Sequence, residues 1–348
     1  MKNPVRGGIM QRLPSLPPLA EPLFNAYTAM GEHVRQWLRD HARLRHAPEG
    51  SVLVREGVQD NVLFLVEQGS VRVRTTSPGE PTTLADLGSG ALFGEMAFLE
   101  GRLPVATVVA GPGCEVREVE EDRLAAAMAA DPLLARDVYE LLATKLASQL
   151  RQQNTIVHLW PGVSATPPNQ ALLLYAYLEE RDIDWLAANG RESRVPAGEL
   201  LLEQGEPVPD LLILLHGTAR VLLRQDARTT TVGHVHGGEM IGEMSLLGGS
   251  DEASASVQAE GTLTVLRVAK ERLRGRLAAD ALSGSRFFRA MAIVLSRWSR
   301  NQLMSHGLAE GARRAEGEPV DVDAQPQELA EQRFARLRRA VLERAPEG

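Results

Sequence analysis

Short runs of apolar residues, split by glycine and proline, occur in two separate stretches of the chain. Their length and spacing are typical of strands in an all-β barrel or sandwich. In the first stretch the runs cover residues 51–55, 62–66 and 70–74, and in the second residues 200–203, 211–215 and 218–223. A short helical pattern precedes each series and is predicted to end at a Trp-Leu pair, Trp37-Leu38 or Trp185-Leu186.

A helical period follows each series of strands. The first such segment is predicted to continue to about Ile156 and carries Leu133, Val138, Leu141, Leu142, Lys145 and Leu146 at helical spacing. The second carries Phe287, Phe288, Met291, Val294, Leu295 and Trp298. This second apolar stripe is broad for one barrel to cover. It therefore leaves two alternatives open, packing on its own barrel or a homodimer.

The two stretches are copies of one another. The Trp-Leu pair, a Pro-x-Gly, two single glycines and a Gly-Glu-Met triplet all recur at an offset of 148 residues, and after one added residue the match resumes at 149. A repeat interrupted by only one added residue, in a glycine-rich loop, indicates duplication of a whole domain.

The patterns divide the chain into five parts. An N-terminal segment (1–35) precedes a first domain (36–157), a linker (158–172), a second domain (173–306) and an acidic linker with a C-terminal helix (307–348). Paired prolines mark the first linker, since they cannot continue a helix. The C-terminal helix is predicted from about Pro326 to Glu343. It either folds back on the second barrel or docks a partner.

Composition and charge exclude several classes of protein. The chain is 44% hydrophobic and has a formal net charge of -7, which argues against non-specific nucleic-acid binding. No basic recognition helix follows either long helix, so we expect no binding to DNA. Cys114 is the only cysteine, which excludes a disulfide or a cysteine-rich metal centre within one chain.

The cellular location is predicted from the lengths of the apolar stretches. Proline and arginine interrupt the N-terminal apolar stretches before they reach the length of a signal-peptide core, and no run of 18 apolar residues could span a membrane. The expected location is therefore the cytoplasm.

Two pairs of short segments carry a family resemblance. FGEMAFL (93–99) with ATVVA (106–110), and IGEMSLL (241–247) with ASVQA (255–259), resemble the phosphate-binding cassette of the cyclic-nucleotide-binding domain superfamily. That superfamily includes the cAMP receptor protein, the regulatory subunit of cAMP-dependent protein kinase and many bacterial sensors. The resemblance implies a mainly β fold with flanking α-helices, as two tandem eight-stranded jelly-roll barrels that close their sheet edges.

The resemblance also implies a ligand site, for a cyclic mononucleotide or a related anion, in each copy. In family members that bind a nucleotide, the Gly-Glu turn starts a short helix whose backbone N–H groups face the phosphate, and the Glu accepts a ribose hydroxyl. The candidate ligand-binding residues are Gly94, Glu95, Met96, Arg102, Ala106, Thr107, Gly242, Glu243, Met244, Ser254, Ala255 and Ser256. Alternatively, Glu95 and Glu243 only brace the short helix.

Both copies lack the arginine that pairs with the phosphate in this family. Pro104 and Ala253 stand in its place. Arg102 lies two residues from the gap in the first copy, whereas Asp251 and Glu252 flank it in the second and would repel a phosphate. Because a helix terminus contributes less than a charge-assisted hydrogen bond, we expect weak, altered or lost ligand binding.

The expected function is a non-enzymatic regulator or sensor whose output passes through contacts with a protein partner. The alternatives are a genuine cAMP- or cGMP-responsive regulator and a structural interaction adaptor. The motifs of common hydrolases, metalloproteases and nucleotide triphosphatases are absent from the sequence, so we expect no catalytic residues. His234 and His236 could share one strand face, but a solvated strand end explains them, so no metal and no cofactor are expected. An inhibitor segment of the kinase regulatory subunits, Arg-Arg-x-Ser or Arg-Arg-x-Ala, does not precede the first domain.

Overall fold

The computed structural model describes residues 24–76, 81–157, 172–225, 228–248, 251–305 and 324–343. The described residues form sixteen strands and ten helices. The strands are β1 Arg43–His46, β2 Val52–Val54, β3 Val62–Gln68, β4 Ser70–Thr76, β5 Pro81–Gly88, β6 Leu92–Phe93, β7 Thr107–Ala110, β8 Glu115–Glu120, β9 Arg191–Val195, β10 Leu200–Leu202, β11 Asp210–His216, β12 Thr218–Gln225, β13 Arg228–His236, β14 Met240–Ile241, β15 Ser256–Ala259 and β16 Leu263–Ala269. The helices are α1 Ala26–Ala29, α2 Glu32–His41, α3 Glu95–Glu100, α4 Glu121–Ala130, α5 Pro132–Val157, α6 Leu173–Tyr177, α7 Glu180–Asn189, α8 Lys270–Ala279, α9 Ala281–Ser305 and α10 Ala324–Leu342.

Each half of the chain contains two antiparallel sheets of four strands. The orders are β1-β8-β3-β6 and β2-β7-β4-β5 in the first half, and β9-β16-β11-β14 and β10-β15-β12-β13 in the second. This is the jelly-roll order, and it repeats strand for strand. The sheets do not close on themselves, so the expectation of a closed barrel is corrected to two facing sheets with open edges.

The predicted strands are present because their apolar runs are buried on both faces. In β3, Phe64 and Val66 point between the two sheets, whereas Leu63 and Leu65 belong to the core under the helices. Strand β11 divides its apolar residues in the same way. A strand covered on both faces has an unbroken apolar run, as the sequence shows. The preceding helices, by contrast, do not end at the Trp-Leu pairs but continue to His41 and Asn189.

The two long helices, α5 and α9, lie side by side in parallel. Near their starts, a Cβ added at Gly284 would lie 2.9 Å from the Arg136 side chain, and near their ends Gln149 Nε2 donates to Ser299 Oγ at 2.9 Å. Helix α9 packs against α5, and four residues of its predicted apolar stripe, Phe287, Phe288, Met291 and Leu295, are buried in a core shared by both halves. Most of the stripe is therefore covered within one chain.

The predicted C-terminal helix is present as α10 and packs on α6 and α7. Leu337 is fully buried, and the Phe334 and Tyr175 rings are 5.2 Å apart between centroids. Arg336 forms two hydrogen bonds with the Asp184 carboxylate, at 2.7 and 2.8 Å. The helix thus folds back on the second half of the chain. The proline-rich linker and most of the acidic segment lie outside the described residues.

Helices α1 to α10 include none that has both the length and the apolar character needed to cross a lipid bilayer.

Candidate functional site

Both Gly-Glu turns depend on glycine. Gly94 and Gly242 have φ values of +92° and +87°, in the left-handed region. A Cβ at Gly94 would lie 2.7 Å from the Val62 carbonyl oxygen, and one at Gly242 would lie 2.9 Å from a methyl carbon of Val208. Any other residue would add both strain and a clash. The glycines therefore serve the backbone geometry, as the turn requires.

The segments after the two turns differ. In the first copy, Glu95 to Glu100 form the short helix α3, as expected. In the second copy the same segment is a series of turns, in which the Leu246 N–H donates to the Glu243 carbonyl at 3.0 Å. Met96 and Met244 are buried and belong to the shared core. These methionines therefore anchor each cassette to the helices behind it.

Glu95 is buried and forms an ion pair with Lys145 of α5. The Lys145 Nζ also donates to Gln149 Oε1 at 2.7 Å, so the lysine is held between α3 and its own helix. The sequence pattern placed Lys145 in the apolar stripe of the long helix but gave it no role. The sequence signal that could have identified Lys145 was a charged residue among apolar ones, at a position where the second copy has Val294 in α9.

Glu243 has a different environment. Burial raises the pKa of this carboxyl to about 7, although the backbone N–H groups of Gly242 and Glu243 and the nearby Arg151 charge act to lower it. The two glutamates of the motif therefore differ in their surroundings.

Pro104 and Ala253 occupy equivalent positions in the structure as well as in the sequence. The Gly57 N–H donates to the Pro104 carbonyl, and the Gly205 N–H donates to the Ala253 carbonyl, both at 2.9 Å. The side chains at these places carry no charge to offer an anion.

The charged residues near the gap have other partners. In the first copy, Arg102 Nη1 lies 3.9 Å from Glu100, at the far end of α3. In the second copy, Asp251 pairs with Arg274 at 3.1 Å, and this contact lowers the pKa of the Asp251 carboxyl. The negative charge of Asp251 is thus offset by an arginine.

The small residues after the gap secure the loop between the second and third strands of each copy. Ala106 and Ala255 directly precede β7 and β15. The Thr107 hydroxyl accepts a hydrogen bond from the Glu56 backbone N–H at 3.1 Å, and the Ser256 hydroxyl accepts one from the Gln204 backbone N–H at 2.9 Å. The Ser254 hydroxyl lies 3.7 Å from the Met244 sulfur.

The buried Glu56 is a residue that the sequence pattern did not single out. Its carboxylate accepts the Thr75 hydroxyl at 3.2 Å in the interior of the first domain.

Each cassette also contacts the long helix of the other half. Arg300 of α9 pairs with Glu100 at the end of α3, at 2.7 Å, and donates to the Leu103 carbonyl at 3.0 Å. In the opposite direction, Arg151 of α5 donates to the Met244 carbonyl and to the Gly248 carbonyl, the latter at 2.8 Å. The two arginines are 149 residues apart, the same offset that relates the copies. That offset is the signal by which both could have been found.

His234 and His236 both lie on β13. Within the described ranges, no group of three or more His, Cys, Asp or Glu side chains is placed to hold a metal ion. His234 pairs with Glu260 at 3.3 Å.

Curated relatives align with parts of the chain. A cyclic AMP receptor protein of Thermus thermophilus is 36% identical over 100 residues, which is 28% of this chain and 46% of that protein. The mouse patatin-like phospholipase domain-containing protein 6 is 27% identical over 200 residues, which is 56% of this chain and 14% of that protein. The chain thus spans less than half the length of these curated relatives.

Solved structures also align with the chain. The regulatory domain of Toxoplasma gondii PKA with cAMP has a TM-score of 0.30 and 18% identity, covering 80% of this chain and 92% of that one. The Thermus thermophilus catabolite activator protein has a TM-score of 0.34 and 26% identity, covering 48% and 70%.

A family profile gives the decisive match. The profile of the cyclic nucleotide-binding domain matches residues 44–131 and again residues 192–280, together just over half of the chain. The chain therefore belongs to the cyclic nucleotide-binding domain family, with two such domains in tandem.

Proposed function

We propose that this chain is a non-enzymatic sensor whose first domain binds a cyclic mononucleotide, or a related anion, weakly. In this proposal the second domain supplies structural contacts, and the output passes to a protein partner. Tandem cyclic nucleotide-binding domains support a regulatory role in general. The two cassettes support the difference between the domains.

The observation that carries the proposal is the buried Glu95–Lys145 ion pair. Glu95 occupies the place from which family members bind a ribose hydroxyl, and Lys145 brings a positive charge to the same carboxylate. A charge-assisted hydrogen bond contributes about 1.5–3 kcal/mol, so a cassette without its arginine should bind about ten- to a hundred-fold more weakly than one that has it. A lysine held by Glu95 compensates for that loss only in part.

The second cassette is less suited to an anion. The Glu243 carboxyl lies near the backbone N–H groups of Gly242 and Glu243, in the turn where family members present donors to the phosphate. In its charged form this carboxylate would repel an anion at the same turn. Val294 stands where the first copy has Lys145, and the cation near Glu243 is instead Arg151, which also binds the Met244 and Gly248 carbonyls.

Two further parts of the proposal concern what the chain does not do. The net charge of -7 and the lack of a basic recognition helix support the absence of specific DNA binding. The family match supports a binding module rather than a catalyst. The phospholipase relative shares only 14% of its length with this chain, so its activity does not carry over.

The proposal is tested by calorimetric titration with cAMP, the nucleotide that the Thermus relative is named for, and with cGMP. Wild type should bind at weaker than micromolar affinity. Glu95→Gln should weaken binding about ten-fold or more, whereas the matched change Glu243→Gln should leave it within about two-fold.

Two results would contradict the proposal. Binding that is lost only in Glu243→Gln would place the site in the second domain. No binding of either nucleotide at millimolar concentration would mean that the Glu95–Lys145 pair is a structural brace. The chain would then be better described as an interaction adaptor.

A further inference from the structure

The cassette helix α3 of the first domain is connected at both ends to α9 of the second domain. At its first residue, Glu95 pairs with Lys145, Lys145 donates to Gln149, and Gln149 donates to Ser299 of α9. Four side chains thus link the carboxylate of the candidate ligand site to the other domain. Three of the four belong to the first domain, and only the last crosses to the second.

At the last residue of α3 the connection is direct. Glu100 receives hydrogen bonds from Ser296 and Arg300, both on α9, and the side chains of Glu100 and Arg300 are 0% exposed. Arg300 also donates to the Leu103 carbonyl, in the loop that leads to Pro104. The second domain therefore holds the segment between the ribose-binding position and the place of the missing arginine.

The second cassette is held differently. Arg151, the counterpart of Arg300, binds backbone carbonyls at Met244 and Gly248, and Gly248 is the counterpart of Glu100. A carbonyl offers a partial charge where Glu100 offers a full one. The contacts between the two halves are thus asymmetric, with a side-chain ion pair at the first cassette and hydrogen bonds to backbone carbonyls at the second.

We propose that Arg300 is a positioning residue for the first ligand site and that the second domain thereby sets the affinity of the first. The proposal rests on the function proposed above. A cassette already held in its helical form loses less entropy when an anion binds its N–H groups. Because such coupling is reciprocal, a ligand in the first domain must also strengthen the contact between α3 and α9.

The first test needs no ligand. Amide hydrogen exchange is measured for wild type, Arg300→Met and the mirror variant Arg151→Met. We expect Arg300→Met to raise exchange in residues 94–103 and not in 242–248, and Arg151→Met to do the reverse. Unchanged exchange at 94–103 in Arg300→Met, or equal loosening of both cassettes in both variants, would overturn the proposal.

Two milder variants keep this test decisive if Arg300→Met does not fold. Ser296→Ala removes one hydrogen bond to Glu100 and leaves the ion pair in place. It should raise exchange at 94–103 to a smaller extent. Arg300→Lys keeps the charge and should restore most of the protection. A Ser296→Ala variant that folds but exchanges like wild type would count against the proposal.

The second test uses cAMP. Arg300→Met should bind it about ten-fold more weakly than wild type, and Arg151→Met within about two-fold, as expected for a coupling of ordinary size. In wild type, cAMP should slow exchange in residues 296–303 of α9, which a purely structural contact would not do.

The outcomes separate this inference from the proposed function. Equal affinity of wild type and Arg300→Met, or no change at 296–303 when cAMP is bound, would refute the coupling and leave the proposed function intact. Failure of wild type to bind cAMP or cGMP would refute the proposed function for these ligands. The exchange of residues 94–103 would then decide whether Arg300 positions the cassette.

Discussion

Two glutamates in the same short motif have different chemical surroundings. Glu95 forms an ion pair with a lysine on a long helix, whereas burial raises the pKa of the Glu243 carboxyl. The residues that cause the difference, Lys145 and Val294, lie some 50 positions away in each copy. A motif alone therefore does not determine whether its carboxylate is available to a ligand, because the side chain opposite it decides.

The Glu243 environment predicts a pH dependence of stability. Since burial raises its pKa to about 7 in the folded chain, the folded state holds a proton that the unfolded state releases between about pH 4.5 and 7. The stability contributed by this group is therefore complete below about pH 4.5 and is lost as pH rises through 7. Glu121 and Glu239, whose pKa values burial also raises to about 7, act in the same direction.

Replacing Glu243 with Gln should reduce this dependence. Urea unfolding at several pH values between 4 and 8 should show a smaller fall in the free energy of unfolding for Glu243→Gln than for wild type. An identical slope in the two proteins would mean that Glu243 ionises in the folded state as it does in the unfolded one.

At the scale of elements, the helices rather than the strands contain the less predictable features. The strands follow from apolar runs buried on two faces, and the repeat offset relates them in pairs. Helix α10 also follows from its pattern, because its apolar side is buried and Arg336 binds the acidic side chains of α7. What the pattern left open was the partner of that apolar side, and this partner is α6 with α7.

The docking of α10 predicts different effects for two leucines in one helix. Leu337 is 0% exposed and Leu329 is 40% exposed. Leu337→Ala should destabilise the fold by about 2–5 kcal/mol, because it opens a cavity against α6 and α7. Leu329→Ala should change stability by about 0.5 kcal/mol or less. Chemical denaturation measures both, and equal effects would mean that α10 does not stay docked in solution.

The sequence predicted most of the fold and only part of the site. The 148-residue offset located both domains and both cassettes. The pairing of α5 with α9 was not predicted, since an apolar stripe shows that a face is covered but not by what. The contact of Gln149 with Ser299 and those of Arg300 with the first cassette depend on that pairing. They became visible only when the two helices were placed side by side.

At the scale of the whole molecule, the two halves are related by an internal pseudo-two-fold axis that passes between the parallel helices α5 and α9. Arg136 faces Gly284 and Gln149 faces Ser299, so residues related by the repeat offset lie at similar heights along the pair. The core that forms between the helices contains residues of both domains. The face of the long helix by which a single such domain could pair with another copy is therefore buried against the other half of the same chain.

This arrangement predicts that the protein is a monomer. The α9 stripe is already packed against α5, so little apolar area remains on it for a second copy. Light scattering should give the mass of one chain, 37.9 kDa, across micromolar concentrations. A mass of two chains that persists on dilution would show that another surface mediates dimerisation.

The parallel helix pair also changes how the two sites can diverge. In a symmetric homodimer every substitution occurs in both copies. A contact between a long helix and a cassette therefore cannot be changed at one cassette and kept at the other. With both halves on one chain, Glu100 and Gly248, or Lys145 and Val294, can differ while the helices remain paired. The covalent connection also makes their association intramolecular, so dilution does not separate the halves. One half is thereby able to specialise in recognition while the other specialises in support.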